Sequence, residues 1–308
     1  MILTLTVNPA IDHTITTDRI NYEDRIYVRS SLEQPGGKWL NAARMIHGLG
    51  GKVLALTTTG GAMGKRLEHL LANSGLPVSL IRIRRAIRRN LTISDLQGLT
   101  IKLDEAGPEI SREEEKKIET AVQRKLKAAE WLLLCGSLPP GMSLDFYARL
   151  IDYARRKKVK TVLDTGDEAL RVGLEAHPTL VKPNRPEAER LLNRALVTRH
   201  QSMEALQELH QMGAEMVVLS LGSQGAMGAS SNGAYHALAP DIQQACPIGA
   251  GDALVATCVW ALSEKQTFPE ALRWGVAAGT AAAATPGTSF ASLSETQRMR
   301  ERVVLEAL

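Results

Sequence analysis

Cysteine and histidine are scarce in this chain. Its three cysteines, Cys135, Cys246 and Cys258, are widely spaced and form no Cys-x-x-Cys pair. An odd number of such residues argues against both a disulfide framework and a zinc site. The seven histidines lack the paired spacing that is typical of metal ligands. The sequence therefore predicts reduced thiols, a cytoplasmic protein and no metal site built on histidine.

Long apolar runs and aromatic residues are also missing. No stretch reaches the roughly 18 apolar residues that a membrane span needs, and the first residues alternate like a strand rather than a signal peptide. Aromatic residues make up 4% of the chain, and none lies within the densest basic run, residues 82–89. With a net charge of only +4, this pattern argues against binding to nucleic acid. We expect a soluble protein with neither membrane nor nucleic-acid partners.

What the chain does contain is a regular alternation of apolar runs and helix-like segments. The 308 residues, 44% of them hydrophobic, suffice for a large core. Short apolar runs that end in polar or small residues cover residues 2–8, 131–137, 161–164, 179–184 and 216–220. Segments with helical spacing cover residues 113–129, 143–158, 186–193 and 202–212. This alternation predicts an α/β fold with a doubly wound, mostly parallel sheet.

Two segments depart from that alternation. Residues 12–35 and 87–105 look like strands without helices between them, so we expect them to pair as a small sheet that forms a lid. A lid of this kind excludes water during group transfer. No linker or repeat divides the chain further, and the sequence predicts one domain over residues 1–308 with this lid.

The most informative motif is PIGAGD, residues 247–252, which runs into an apolar helical stretch. Free N–H groups at a helix start bind anions, because they and the helix dipole point at the ligand. We expect Gly249, Ala250 and Gly251 to form an anion hole and Asp252 to act as a general base. The pattern indicates phosphoryl transfer to a hydroxyl group.

Polar residues also follow the predicted parallel strands. Asn8, Ser137, Asp164, Asn184 and Ser220 each stand at or near such a strand end. Ligands of doubly wound sheets bind beyond the carboxyl ends of the strands. These residues are therefore expected to outline one site.

The chain resembles the ribokinase-like phosphofructokinase-B family of sugar kinases over nearly its whole length. The motifs that carry the resemblance are TVNPAID (6–12), GGKWLNAAR (36–44), GSLPPG (136–141), KPNRPE (182–187) and GAGD (249–252). Motifs in this order at these separations are far more specific than any single glycine loop. Within the family the chain is most similar to kinases of phosphorylated ketohexoses. The resemblance implies transfer of phosphate from ATP to fructose 1-phosphate, fructose 6-phosphate or tagatose 6-phosphate.

The resemblance also implies roles for individual residues. The sugar phosphate would be bound by Asp12, Arg25, Gly36, Gly37, Lys38, Asn41, Arg88, Ser137 and Asp252. The nucleotide would be bound by Lys182, Asn184, Ser220, Gly222, Ser223, Gly225, Gly249 and Gly251. Magnesium would be positioned by Asn184 and Glu187, largely through water. The resemblance leaves open whether a monovalent cation lies near the anion hole.

Some features keep alternatives open. Trp39 stands where the family usually has glycine, and either narrows the sugar pocket or packs on the lid. Pro247 and Ala253 replace hydroxyl residues that are common beside the catalytic loop. A kinase of an unphosphorylated sugar or nucleoside, and a noncatalytic sensor of sugar phosphate or nucleotide, are the alternative functions. Exposed lid edges favour a homodimer joined through its lids.

Overall fold

The computed structural model describes residues 1–21, 24–243, 249–285 and 291–308. Its strands are β1 (Ile2–Thr6), β2 (Ala10–Thr17), β3 (Val28–Gly36), β4 (Val53–Thr59), β5 (Val78–Arg82), β6 (Arg88–Asp95), β7 (Thr100–Asp104), β8 (Trp131–Cys135), β9 (Lys160–Asp164), β10 (Leu180–Val181), β11 (Met216–Ser220), β12 (Ala226–Ser230), β13 (Gly233–Leu238) and β14 (Val304–Ala307). Its helices are α1 (Lys38–Gly48), α2 (Gly61–Ala72), α3 (Arg112–Leu126), α4 (Phe146–Arg156), α5 (Asp167–Leu174), α6 (Arg185–Leu192), α7 (Arg199–Gln211), α8 (Ala250–Ser263), α9 (Phe268–Ala283) and α10 (Leu293–Arg302).

The main sheet has the strand order β14-β13-β12-β11-β10-β9-β8-β1-β4-β5. Strands β11 to β5 in this order pair in parallel, whereas β12, β13 and β14 join the edge antiparallel. Every residue of β1 and β8 is buried. Continuous apolar runs of this kind are expected of parallel strands with helices on both faces. The predicted doubly wound, mostly parallel sheet is confirmed.

A second, smaller sheet has the strand order β3-β2-β6-β7. Strand β2 pairs antiparallel with β3 and parallel with β6, and β7 is antiparallel to β6. The small sheet of the predicted fold is therefore present, and its strands fall almost entirely within residues 12–35 and 87–105. Its action as a lid, and the description of the chain as one domain, stay predictions.

Side-chain alternation gives the small sheet two different faces. Asp12 and Asn90 are paired across β2 and β6, and the Asn90 amide donates a hydrogen bond to the Asp12 carboxylate. Arg88 lies two residues before Asn90 and so on the same face. The guanidinium of Arg89 instead lies 3.4 Å from the Met63 sulfur on α2. One face thus carries Asp12, Arg88 and Asn90, and the other packs towards α2.

Helix α8 is buried along most of its length and packs closely against α9. Two glycines of α9 make this contact close: a Cβ at Gly275 would lie 2.7 Å from the Leu254 carbonyl oxygen, and one at Gly279 would lie 2.9 Å from the Ala250 carbonyl oxygen. Real Cβ atoms essentially never approach so closely. The glycines therefore fix the position of the first turn of α8, which carries the candidate anion hole.

Among the parts of the chain that the structure describes, no helix combines the length and the apolar character needed to cross a lipid bilayer.

Candidate active site

The carboxyl ends of the parallel strands meet along one edge of the main sheet. The Asn8 amide nitrogen lies 3.2 Å from the Ser137 hydroxyl oxygen, which joins the ends of β1 and β8. Asn184 forms a parallel bridge with Ser220, which joins the segment after β10 to the end of β11. The polar residues that follow the strands therefore lie together in pairs along this edge.

Asp252 lies in the first turn of α8, and Gly249 is the residue before the helix. Gly249 has a φ angle of +82°, a left-handed conformation that favours glycine. A Cβ at Gly251 would meet no atom within 4 Å, so space lies open beside this turn. The first N–H groups of a helix have no acceptor within the helix. The turn can therefore bind an anion beside Asp252. Pro247, next to this motif, and Cys246 lie outside the described residues.

Asn41 positions the Asp252 carboxylate. Its side-chain amide donates a hydrogen bond to Asp252 Oδ2 over 3.2 Å. Asn41 is a buried residue of α1, the helix that begins directly after the glycine pair Gly36 and Gly37. The structure therefore places Asn41 against the candidate base, where it can orient that carboxylate in addition to contacting a sugar.

Lys38 and Lys182 both lie close to the buried carboxylate of Asp164. The Asp164 Oδ1 atom is 3.3 Å from Lys182 Nζ and 3.5 Å from Lys38 Nζ. Lys38 Nζ also lies 3.9 Å from a carboxylate oxygen of Glu187. Burial alone raises the pKa of Asp164, but the two ammonium groups outweigh burial and hold the pKa below its usual value. The cluster keeps two cations fixed at the sheet edge.

The environment of Asp252 suits a proton acceptor. Burial and the negative charge of Asp164 raise the pKa of Asp252 to about 7, against the opposing effects of Lys38 and the Asn41 hydrogen bond. A general base is most effective when its pKa lies near the working pH. A carboxylate with this pKa beside the first turn of α8 is compatible with a general base, and that role of Asp252 stays a prediction.

This pKa predicts how the rate of phosphate transfer depends on pH. A protonated carboxyl group cannot accept a proton, so kcat/KM should fall as the pH is lowered through about 7. Because the Asn41 hydrogen bond lowers the pKa of Asp252, Asn41→Ala should move this acidic limb to higher pH. The measurement is kcat/KM from pH 5.5 to 9 for both proteins. If the acidic fall of kcat/KM in the variant occurs at the same pH as in the wild type or at a lower pH, Asn41 does not lower the pKa of Asp252.

The glycine pair makes room for two neighbouring side chains. A Cβ at Gly36 would lie 2.3 Å from the Asp12 carboxylate, and one at Gly37, whose φ is +116°, would lie 2.8 Å from the Thr6 methyl group. The resemblance assigns these glycines to the binding of the sugar phosphate. The structure adds another cause, because a side chain at either position collides with the protein itself.

Arg88 lines a cavity of about 430 Å³, the Arg88 cavity, at the base of the small sheet. Its walls are Arg85, Ala86, Arg88, Glu105, Ala106, Gly107, Pro108 and Glu109. One guanidinium nitrogen of Arg88 donates to the Glu105 carbonyl oxygen over 2.9 Å. Burial lowers the pKa of Arg88, against the attraction of Asp104 and Asp12. A partly buried guanidinium with remaining donors is suited to a phosphate group.

Not every predicted phosphate ligand lies at this cavity. Within the part of the chain that the structure describes, neither Lys38 nor Arg25 contributes to the walls of the Arg88 cavity. Arg25 is exposed, and Lys38 lies beside Asp164 instead. Trp39 is 1% exposed and belongs to the hydrophobic core.

Asn184 and Glu187 form a reciprocal cap at the start of α6. The Asn184 side chain accepts from the Glu187 N–H, and the Glu187 carboxylate accepts from the Asn184 N–H, both over 2.8 Å. The second carboxylate oxygen of Glu187 faces Lys38. No cluster of three or more metal-ligating side chains occurs in the described residues. This pair fits a magnesium ion that is held through water better than one that it ligates directly.

The loop after β11 follows Ser220, the last residue of that strand, and turns at two glycines with positive φ, Gly222 at +63° and Gly225 at +85°. A Cβ at Gly225 would lie 2.1 Å from the Ala237 carbonyl oxygen, whereas one at Gly222 would meet no atom within 4 Å. Ser223 is exposed between them. Gly225 therefore serves the protein's own packing, and Gly222 and Ser223 leave a surface open to a nucleotide.

Three residues of this site received no specific role from the sequence: Asn8, Asn90 and Asp164. Asn8 and Asp164 were identifiable only as polar strand ends, which often serve no ligand. Asn90 had a usable signal, because it follows Arg88 by two residues and must share its face of the strand.

Comparison with known proteins places these features in a family. Residues 5–296 match the pfkB family of carbohydrate kinases. The chain is 34% identical to an ATP-dependent 6-phosphofructokinase isozyme 2 of Escherichia coli, over 97% of each chain. It is 28% identical to a 1-phosphofructokinase of Vibrio cholerae, over 100% of this chain and 97% of that protein. The crystal structure of E. coli phosphofructokinase-2 in complex with potassium has a TM-score of 0.92 and 33% identity, covering 97% of this chain and 98% of that one. The resemblance predicted from the motifs is therefore confirmed, and the chain belongs to the pfkB family of carbohydrate kinases.

Proposed function

We propose that this protein transfers the terminal phosphate of ATP to a ketohexose monophosphate and so makes a ketohexose bisphosphate. The observation that carries the proposal is a series of neighbouring residues that leads from a base to a cation. Asp252 contacts Asn41 in α1, which starts after the glycine pair that accommodates Asp12. Asp12 shares its face of the small sheet with Arg88. This arrangement supports one site with a base for the reacting hydroxyl and a cation for the existing phosphate.

The chemistry follows from these positions. An oxygen of the sugar attacks the terminal phosphorus of ATP, the bond between that phosphorus and the bridging oxygen breaks, and ADP leaves. The proton of the attacking hydroxyl passes to Asp252. The N–H groups of residues 249–251 and the ammonium groups of Lys38 and Lys182 stabilise negative charge on the transferring group. Asp12 accepts a hydrogen bond from another sugar hydroxyl.

The nucleotide is proposed to lie over the sheet edge between α6 and the loop after β11. Lys182, Asn184, Ser220, Gly222, Ser223, Gly225, Gly249 and Gly251 are the residues proposed to surround it. Magnesium neutralises phosphate charge when it is bound, and Asn184 and Glu187 would hold it through water.

A monovalent cation near the anion hole is proposed as well, since the related E. coli enzyme forms a potassium complex. ATP use and the buried thiols of Cys135 and Cys258 favour action in the cytoplasm.

We also propose that two copies pair through their small sheets. The outer strands β3 and β7 carry large apolar side chains in solvent, with Val28, Leu32 and Leu103 exposed by 56%, 52% and 57%. Burial of such side chains against a second copy is favourable. Light scattering at micromolar concentration should give a dimer mass, and Leu32→Lys with Leu103→Lys should shift it towards the monomer. A wild-type monomer would contradict the pairing.

The experiment that tests the function is ADP release from Mg-ATP with a panel of acceptors. The panel contains fructose 1-phosphate, fructose 6-phosphate, tagatose 6-phosphate, and free fructose, ribose and adenosine. Preference for one phosphorylated ketose supports the proposal and names its substrate. Activity only with unphosphorylated acceptors would overturn it. Calorimetric binding of a sugar phosphate without ADP release would indicate a sensor instead.

A further inference from the structure

Asn8 is a buried side chain that joins three distant parts of the chain. It follows β1 and is 4% exposed. Its amide nitrogen donates to the Ala106 carbonyl oxygen over 3.0 Å and to the Ser137 hydroxyl oxygen over 3.2 Å. Ala106 lies in the Arg88 cavity wall, and Ser137 follows β8. A side chain with no assigned part in the reaction thus contacts both sides of the proposed substrate site.

The orientation of the Asn8 amide follows from its partners. A backbone carbonyl only accepts hydrogen bonds, so the atom that faces Ala106 must be the NH₂ group. The same NH₂ group donates to Ser137, which makes the Ser137 oxygen an acceptor towards Asn8. The hydroxyl hydrogen of Ser137 then points elsewhere, and it is available to donate to a ligand.

The other end of the Asn8 amide fixes the backbone of the cavity wall. Its carbonyl oxygen is buried and has no hydrogen-bond partner within the described residues. A Cβ at Gly107 would lie 2.2 Å from this oxygen, and Gly107 has a φ angle of +102°. Asn8 and Gly107 therefore fit together only because residue 107 has no side chain. The neighbouring Glu105 carbonyl in the same segment accepts from Arg88.

We propose that Asn8 is a positioning residue for the sugar phosphate: it keeps the Ser137 hydroxyl turned as a donor towards the ligand and holds the wall segment that orients Arg88. This inference rests on the proposed function, since it concerns the ligand of that same site. Asn8 acts through Ser137 and through residues 105–107, and the nucleotide residues lie on other elements. Loss of the Asn8 side chain should therefore weaken the binding of the sugar phosphate and leave the binding of the nucleotide unchanged.

The test uses Asn8→Asp, which keeps the shape and reverses the hydrogen bonding. The aspartate carboxylate and the Ala106 carbonyl oxygen are both negative, so they repel each other. The Ser137 hydroxyl would donate its hydrogen to the carboxylate and no longer to the ligand. The KM for the preferred sugar phosphate should rise about tenfold or more, the scale of a lost hydrogen bond between a donor and a charged group. The KM for Mg-ATP should stay within about twofold. Asn73→Asp, at the exposed end of α2, is the matched control for the added charge.

A double-mutant cycle with Ser137→Ala tests the route. Since Asn8 is proposed to act through Ser137 as well as through residues 105–107, Asn8→Asp should raise the KM for the sugar phosphate by a smaller factor in the Ser137→Ala background. Equal factors in both backgrounds, or parallel rises in both KM values, would overturn the inference. If the aspartate variant fails to fold, Asn8→Ser replaces it, because one hydroxyl hydrogen can serve only one of the two acceptors.

The outcome separates this inference from the function it rests on. A wild-type protein that phosphorylates no sugar phosphate overturns the proposed function, and the inference with it. A wild-type protein that does so, with an unchanged ratio of KM values in the Asn8 variants, overturns the inference alone.

Discussion

Replacement of Arg88 by methionine is expected to raise the KM for the sugar phosphate about 10- to 100-fold, because hydrogen bonds to charged groups contribute about 1.5–3 kcal/mol. Methionine keeps much of the length of the side chain and removes its charge and donors. Arg88 lines the cavity beside Asp12, and its guanidinium is partly buried there. A phosphate that loses this partner has no equally placed cation among the described walls except Arg85, which is paired with Glu109. Initial rates over a range of sugar phosphate concentrations measure the change.

Arg89→Met is the matched control for this substitution. Arg89 is the next residue on β6, but its guanidinium lies against Met63 on the opposite face. Its replacement should leave the KM for the sugar phosphate nearly unchanged. A free ketose lacks the phosphate that Arg88 is proposed to bind, so its KM should not change in the Arg88 variant. A comparable rise for phosphorylated and free ketose would remove Arg88 from the phosphate site.

Asp252→Asn is expected to lower kcat by about 10²- to 10⁴-fold, the usual contribution of a positioned base. The amide keeps the shape of the carboxylate and can still accept the Asn41 hydrogen bond, so the geometry of α1 and α8 should persist. Calorimetry should therefore find that the variant still binds Mg-ATP. Asp152→Asn, on the surface of α4, is the control for the lost charge and should retain full activity.

The stability of the same variant gives a second readout with a definite sign. The pKa of Asp252 is raised to about 7 by burial, above its value of 3.8 in the unfolded chain. An ionised Asp252 therefore destabilises the folded protein, and this effect is fully present only above about pH 7. Asp252→Asn should unfold at the same or a higher temperature than the wild type at pH 8. A large drop in both stability and activity would point to a structural role instead.

The sequence predicted the centre of the main sheet well and its edges poorly. Strand β8 is an apolar run that is buried on both faces, and its composition therefore predicts its place at the centre of the sheet. Strand β10 is only two residues long, whereas the pattern predicted residues 179–184. The antiparallel strands β12 and β13 are rich in alanine and glycine, so their composition gives little strand signal. Strand β12 pairs with its sequence neighbours β11 and β13, but β13 also pairs with β14, which lies more than sixty residues further along the chain, and no local pattern predicts that pairing.

In the candidate site, too, features that depend on neighbouring residues could be predicted from the sequence, whereas features that depend on distant residues could not. Asp252 was predictable, because the glycine-rich turn and the helix that follows are local in sequence. Lys38 was expected at the sugar phosphate, yet its ammonium group lies beside Asp164 and Glu187, which are more than a hundred residues away. Charge pairing over such separations leaves no periodic pattern in one sequence. The raised pKa of Asp252 has the same origin, since it depends on burial and on Asp164.

The most direct test of the account is the identity of the product made by the wild-type protein. Phosphorus NMR would follow Mg-ATP mixed with the ketohexose monophosphate that the acceptor panel favours, at pH 8. We predict that the terminal phosphate resonance of ATP is replaced by those of ADP and a second phosphomonoester on the same sugar, and that Asp252→Asn abolishes this change on the same timescale. Release of inorganic phosphate alone, or an unchanged spectrum with every phosphorylated ketose, would contradict the account.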